Sequence, residues 1–209
     1  MASGNRDQNI RRIIEMEDRI AGCKRCDVLL QCVRRPSMGK GELDPEVLMV
    51  FECESAFTRD VAKIVQLRNL VKNEFEVDNV YHNYLVRCQP KACAIRTSIS
   101  CFGGDAGCVD RDNNCLLSGK PCEGIPVKPS NEEILACLPF LLEEIEIFHP
   151  KYVILFGERV AFFTLRSYGM FDNVNIGQKH QLSGINFLIA SVEEEFNADQ
   201  CQELLEFTP

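Results

Sequence analysis

The residues best suited to chemistry in this chain are its cysteines, of which there are 12 in 209 residues. Cys23 and Cys26 stand three positions apart, a spacing that lets two thiolates grip one metal ion or cluster from a single turn. Cys88 ends a β-branched and aromatic run, and Cys137 lies one turn into a segment with helical signals. Four thiolates from two loops and a helix suit a buried iron–sulfur cluster or a structural zinc ion.

The cellular context decides whether such cysteines are ligands or disulfides. The first twenty residues are polar and carry no secretion signal, and no run of about 18 apolar residues spans a membrane. We therefore expect a cytoplasmic protein without membrane contact, where thiols stay reduced and disulfides are rare. A chain of 209 residues also buries a core without needing a disulfide scaffold. Both points favour metal ligation, with buried inert thiols as the alternative.

The overall charge does not indicate nucleic-acid binding, because the chain carries a net charge of −8. A contact with DNA would need a local basic patch. The candidates surround the first cysteine pair and are Lys24, Arg25, Arg34, Arg35 and Lys40. The alternative is that these side chains form a solvated loop.

Alternating apolar patterns indicate the fold. Helical periodicity predicts helices over 7–21, 59–75, 130–148, 158–166 and 197–206. Short, nearly continuous apolar runs predict strands over 47–51, 80–87, 152–157 and 186–190. Such an order predicts an α/β protein, a three-layer αβα sandwich with a central, mostly parallel sheet. Functional sites in these sheets lie beyond the carboxyl ends of the strands, here residues 52–55, 88–90, 157–158 and 191–193.

Residues 91–129 differ in kind, since they are rich in glycine and cysteine and lack periodic apolar positions. We interpret them as an insertion within a single domain that spans residues 1–209. Their cysteines, four of them at intervals of seven, are Cys93, Cys101, Cys108, Cys115 and Cys122. These five are candidates for a second metal site, and the alternative is a flexible loop with unligated thiols.

Four separated motifs, in this order, resemble those of the iron–sulfur uracil-DNA glycosylases, the family 4 branch of that superfamily. They are C-K-R-C at 23–26, V-R-C-Q-P at 86–90, E-E-I-L-A-C-L-P-F-L at 132–141 and P-K-Y-V-I-L-F-G at 150–157. The resemblance runs from Gly22 to about Val192 outside the insertion. It implies a uracil-DNA glycosylase-like fold, a role in DNA repair, and one 4Fe-4S cluster on Cys23, Cys26, Cys88 and Cys137. Zinc on the same thiolates is the alternative.

The catalytic motifs depart from that family. Its G-E-x-P-G motif corresponds here to F-E-C-E-S at 51–55, where Glu52 is the retained candidate acid, base or water-positioning group. Phe51 places a large ring where the family has glycine, and Ser55 completes this side of the implied base pocket. Tyr84 replaces the pocket asparagine and cannot present its paired donor and acceptor. Asn83 would take over only if the strand slipped by one residue.

The family's H-P-S motif is also missing, because S-V-E-E-E stands at 191–195 and glutamates repel phosphates. The resemblance therefore leaves two main functions open. One is a binding or scaffold protein for DNA repair or replication, with a protein partner and with weak or absent uracil excision. The other is an active DNA glycosylase that flips out and removes uracil or another deaminated base. A cluster-bearing electron-transfer or redox-sensing module is a third.

Overall fold

A six-stranded sheet organises the residues that the structure, a computed structural model, describes: 2–26, 36–92, 114–116, 118–120 and 125–206. The strands in this part of the chain are β1 (Lys40–Gly41), β2 (Val47–Phe51), β3 (Val80–Tyr84), β4 (Lys91–Ala92), β5 (Ile125–Pro126), β6 (Tyr152–Phe156), β7 (Lys179–Leu182) and β8 (Ile185–Ala190). The large sheet has the spatial order β1-β3-β2-β6-β8-β7, and β4 pairs with β5 separately.

The four central strands of this sheet are parallel. Val47 of β2 lies opposite Val80 of β3 and Tyr152 of β6, and Leu155 of β6 lies opposite Ile189 of β8. The edge strands β1 and β7 pair antiparallel to their neighbours. All five residues of β2 are buried, as expected for a strand covered on both faces. The predicted mostly parallel sheet is confirmed.

Helices cover both faces of the sheet. They are α1 (Ala2–Ala21), α2 (Ala56–Arg59), α3 (Val61–Phe75), α4 (Asn131–Phe148), α5 (Glu158–Ser167) and α6 (Ala198–Glu206). Apolar side chains of α1, α4 and α5 pack in one core on one face. Those of α3 and α6 pack in a second core on the other face, which gives the predicted three-layer sandwich. None of the helices described is long and apolar enough to cross a lipid bilayer.

Several predicted boundaries were wrong. The helix expected over 59–75 is interrupted at Asp60, because its carboxylate accepts hydrogen bonds from the backbone N–H groups of Ala62 (3.0 Å) and Lys63 (3.3 Å) and caps α3. The strand expected over 80–87 ends at Tyr84. The edge strands β1 and β7 were not predicted, since two and four residues are too few for a period-two pattern.

The two-stranded ladder holds together the ends of the predicted insertion. Lys91 pairs with Pro126 and Ala92 with Ile125. Beyond this pair, the N–H of Val127 donates to the carbonyl of Pro90 at 3.0 Å. The chain thus enters and leaves the insertion at one place. Within it, Cys115 is buried, and Cys93, Cys101, Cys108 and Cys122 lie outside the described residues. The second metal site stays a prediction.

Candidate cofactor site and strand-end site

One cavity brings together the four cysteines that the sequence singles out. Cys23, Cys26, Cys88 and Cys137 all line it, and the cavity has a volume of about 30 Å³. The rest of its wall is mostly apolar, and its further lining residues are Ile20, Arg25, Pro36, Val86, Arg87, Ala136 and Phe140. We call it the cysteine cavity.

Local structure aims each cysteine at this cavity. The last turn of α1 tightens at Cys23, whose N–H donates to the carbonyl of Ile20 at 3.1 Å. Cys137 lies in the second turn of α4, which Ser130 and Glu133 fix through a reciprocal capping box. Cys88 follows the end of β3 by four residues. The cysteines thus come from a helix end, a strand-end loop and a helix face, as predicted.

Opposing effects act on the pKa of the Cys137 thiol. Burial raises its pKa, whereas the backbone N–H of Arg87, 3.3 Å from the sulfur, and the charges of Arg87 and Arg25 lower it. Binding of an iron or zinc ion displaces the thiol proton altogether. Cys23 and Cys137 form no disulfide.

The thiols are spread around the cavity and not drawn to one point. Among the described residues, no three histidine, cysteine, aspartate or glutamate side chains converge closely enough to hold a single metal ion. A zinc ion with Zn–S bonds of about 2.3 Å needs its sulfurs about 3.8 Å apart. A cubane cluster binds each thiolate to a different iron and so takes a wider set of sulfurs. The cluster and the zinc ion therefore both stay predictions for this donor set.

At the carboxyl end of β2, Glu52 is held in an ion pair. Its Oε1 lies 2.5 Å from Nη1 of Arg159 at the start of α5. The other terminal nitrogen of Arg159 donates to the carbonyl of Pro129 at 2.7 Å and to Oδ1 of Asn131 at 2.8 Å. Glu52 is therefore tied to two helix N-termini, and its side chain is 23% exposed.

Ser55 also has a fixed partner. Its hydroxyl accepts a hydrogen bond from the N–H of Thr58, which caps α2, and donates to Oε1 of Glu193 at 2.8 Å. Burial raises the pKa of Glu193. Between these groups, burial raises the pKa of the Cys53 thiol to about 12, and the charge of Glu52 adds to this. Cys53 therefore lacks the thiolate that a nucleophile needs.

The remaining base-pocket candidates belong to the sheet core. The Phe51 ring is fully buried and stacks on Phe156 with centroids 4.8 Å apart, while Tyr84 lies 6.2 Å away. Asn83 pairs in register with Val50 and so points to the opposite face from Tyr84. Its Oδ1 accepts from the N–H of Tyr84 at 2.7 Å. The role of Asn83 in a base pocket stays a prediction.

A second cavity opens beside Tyr84, between α3 and the β1–β3 edge, with a volume of about 510 Å³. Its wall includes His82, Lys40 and Arg68. His82 is 3% exposed, and burial together with the charges of Arg68 and Lys40 lowers its pKa to about 4. The imidazole is therefore neutral at physiological pH.

Among the described residues, the predicted basic patch contains one side chain that packs on α4 and two that are exposed. The guanidinium of Arg25 donates to the carbonyl of Ala136 at 3.3 Å and lies 4.3 Å from the Phe140 ring centroid, so Arg25 docks the cysteine loop onto α4. Lys24 and Lys40 are exposed. Arg34 and Arg35 lie outside the described residues.

Three residues of these sites were not singled out from the sequence: Arg159, Arg87 and Glu144. Arg159 binds Glu52 across 107 positions, a contact that no local pattern reveals. Arg87 did carry a signal, because it directly precedes Cys88. It forms an ion pair with Glu144 of α4 at 3.0 Å, and both side chains are only 1% exposed.

A mostly parallel sheet with helices on both faces, four cysteines at one cavity and polar strand ends beside it defines a three-layer α/β protein. A profile of the uracil DNA glycosylase superfamily matches residues 50–193, from β2 to the residue that contacts Ser55. No curated protein matches the chain. The chain belongs to the uracil DNA glycosylase superfamily. The matched range includes Cys88 and Cys137 and excludes Cys23 and Cys26.

Proposed function

We propose that this member of the superfamily is a binding or scaffold protein in DNA repair or replication, with weak or absent uracil excision. The observation that carries the proposal is that the polar side chains after β2 already have partners within the protein. Glu52 is committed to Arg159, and Ser55 is committed to Glu193. Groups that would meet a base or a water are thus bonded to one another.

The physical argument is one of preorganisation. Glycosidic cleavage needs a pocket that reads the flipped base and donors aimed at the developing charge. Loss of one such donor commonly lowers the rate by about 10²–10³. Here the resemblance implies that Tyr84 replaces the amide, Phe51 lies in the core, and a carboxylate at Glu193 would repel DNA phosphates.

We further propose that the cysteine cavity holds one 4Fe-4S cluster on Cys23, Cys26, Cys88 and Cys137. The shared cavity and its mostly apolar wall support this cofactor. When bound, the cluster would link the end of α1 and the face of α4 to the loop after β3. Zinc remains the alternative for four thiolates.

Elemental analysis of anaerobically purified protein tests the cofactor. We expect about four iron atoms and as many acid-labile sulfides per chain at this site, with a brown colour. Cys137→Ala should lose this iron, and Cys201→Ala, a matched cysteine in α6, should keep it. Stoichiometric zinc without iron would reject the cluster.

An excision assay tests the function. We expect no release above background from uracil-, hypoxanthine- or xanthine-containing oligonucleotides, and retained binding to DNA or to a repair protein. The active glycosylase is the second candidate, because Arg159 fixes a partly exposed carboxylate at the strand end. Base release that disappears in Glu52→Gln and persists in Glu195→Gln would establish it.

A further inference from the structure

The ion pair of Arg87 and Glu144 is buried in the interior of the protein. Nη2 of Arg87 lies 3.0 Å from Oε2 of Glu144, and each side chain is 1% exposed. Burying two charges in this way seldom adds net stability over a well-packed apolar pair. Burial raises the pKa of Glu144 to about 7, and the charge of Arg87 opposes this rise. A purely structural role does not explain such a pair.

The backbone of Arg87 connects the pair to the cysteine cavity. Its N–H donates to the sulfur of Cys137 at 3.3 Å, and its carbonyl accepts from the N–H of Ser37 at 2.8 Å. Arg87 also directly precedes Cys88 and lines the cavity. One residue therefore contacts one predicted ligand and carries the next.

The ion pair with Glu144 satisfies only part of the Arg87 guanidinium. Of its guanidinium nitrogens, Nε and Nη1 are buried and make no hydrogen bond within the described residues. A cluster with four thiolates is anionic and gains a further negative charge when it is reduced. A buried cation nearby stabilises the reduced form more than the oxidised form, because charges interact strongly at low dielectric.

We propose that Arg87 is a positioning residue for the cluster and sets its reduction potential, with Glu144 as the counter-charge that fixes and moderates it. This inference rests on the proposed cluster. It predicts effects of opposite sign: removal of the Arg87 charge disfavours reduction, and removal of the Glu144 charge favours it.

The experiment is a redox titration of the anaerobic full-length protein, followed by visible absorbance and electron paramagnetic resonance. For Arg87→Gln we expect the ratio of reduced to oxidised cluster at a fixed potential to fall about tenfold, a midpoint lowered by about 59 mV for one electron. Glu144→Gln should raise the midpoint. Arg87→Lys, which keeps the charge, should return the midpoint toward that of the wild type.

A matched control is available in the neighbouring pair of Arg19 on α1 with Glu143 on α4, which is largely accessible to solvent. Arg19→Met should leave the midpoint unchanged, because solvent screens that charge. Unchanged midpoints in the Arg87 and Glu144 variants, or shifts in one direction for both, would overturn the inference while leaving the cluster intact.

Loss of iron or of fold is also informative. A Glu144→Gln variant that loses iron but retains the wild-type circular dichroism supports a positioning role. Unfolding of both Arg87→Gln and Glu144→Gln would assign the pair to core stability and overturn the inference. Wild-type protein that lacks iron would reject the cluster itself, and the inference with it.

Discussion

His82 shows how a single buried side chain sets a property of the whole fold. It lies on β3 beneath the cavity next to Tyr84 and is 3% exposed. Its Nδ1 has no hydrogen-bond partner among the described residues, and Arg68 and Lys40 add positive charge nearby. The folded state therefore resists protonation of this imidazole, whereas the unfolded state accepts a proton near pH 6.5.

We predict that His82 makes the protein sensitive to mild acid. The folded pKa of about 4 lies below the unfolded value, so stability is full above pH 6.5 and falls as the pH drops toward 4. The loss amounts to about 3 kcal/mol. Urea denaturation at pH 7 and pH 4 should show this loss in the wild type and in His149→Asn, a surface helix cap. His82→Leu should lack most of it, and an equal loss in both variants would contradict this role.

A second residue-scale prediction compares two cysteines. Cys137→Ala should lower the free energy of unfolding by more than about 4 kcal/mol, the range reached when a metal ligand is lost. Cys201 is fully buried in α6 and should behave as a small apolar residue, so Cys201→Ala should cost about 1 kcal/mol. Denaturation of both anaerobic variants measures the difference. Equal losses would show that Cys137 is not a ligand.

At the scale of elements, Glu42 fastens the β1 edge to α3. Its carboxylate accepts from Arg68 at 2.5 Å, from Lys72 at 2.9 Å and from the N–H of Val80 at 3.0 Å. Burial alone would raise the pKa of Glu42, but the hydrogen bonds from Lys72 and Val80 and the charge of Arg68 lower it to about 2. The side chain of Glu42, the residue directly after β1, thus holds this short edge strand in place.

This contact predicts acid sensitivity in a lower pH range than that of His82. Because the folded pKa is depressed, the stabilisation is present above pH 4.5 and is lost as the pH falls toward 2. The carboxylate is partly exposed, so after screening the contribution is about 1 kcal/mol. Glu42→Gln should lose this amount at pH 7 and none at pH 2. The exposed control Glu195→Gln should match the wild type, and a pH-independent loss in Glu42→Gln would refute the assignment.

The elements also show which parts of the fold were predictable. The strands over 47–51 and 152–156 were predicted because their nearly continuous apolar runs are typical of strands buried on both faces. The break at Asp60 was not, because a carboxylate inside a periodic pattern looks like an exposed helix residue until its capping bonds are seen. The cysteine cavity followed from motif and spacing. The pairing of Glu52 with Arg159 did not, since it depends on how two loops meet.

At the scale of the molecule, the cysteine cavity and the strand-end site are neighbours. Gln89, next to Cys88, accepts a hydrogen bond from the thiol of Cys53 at 3.5 Å. Its amide nitrogen donates to the carbonyl of Val127 at 3.0 Å, at the base of the insertion. One side chain therefore joins the cavity, the end of β2 and the insertion stem.

We predict that the insertion is dispensable for the fold. Because Ala92 and Ile125 are paired, an Asn-Gly turn in place of residues 93–124 closes a two-residue hairpin. The trimmed protein should melt within about 3 °C of the full chain, because the described residues of both cores lie outside 93–124. Its iron at the cysteine cavity should be unchanged. Metal lost on trimming would locate a second site in the insertion, and a collapse of the fold would show that the insertion is structural.

The span of the cysteine cavity along the chain has a consequence for biosynthesis. Cys26 leaves the ribosome more than a hundred residues before Cys137, an interval of about 5 to 20 s at ordinary rates of translation. During this interval the first cysteine pair has neither its partner thiols nor the α4 surface on which Arg25 docks. The proposed cluster, which needs all four sulfurs, would therefore be acquired only after most of the sheet has been made, and the first cysteine pair would have to be kept from oxidation until then.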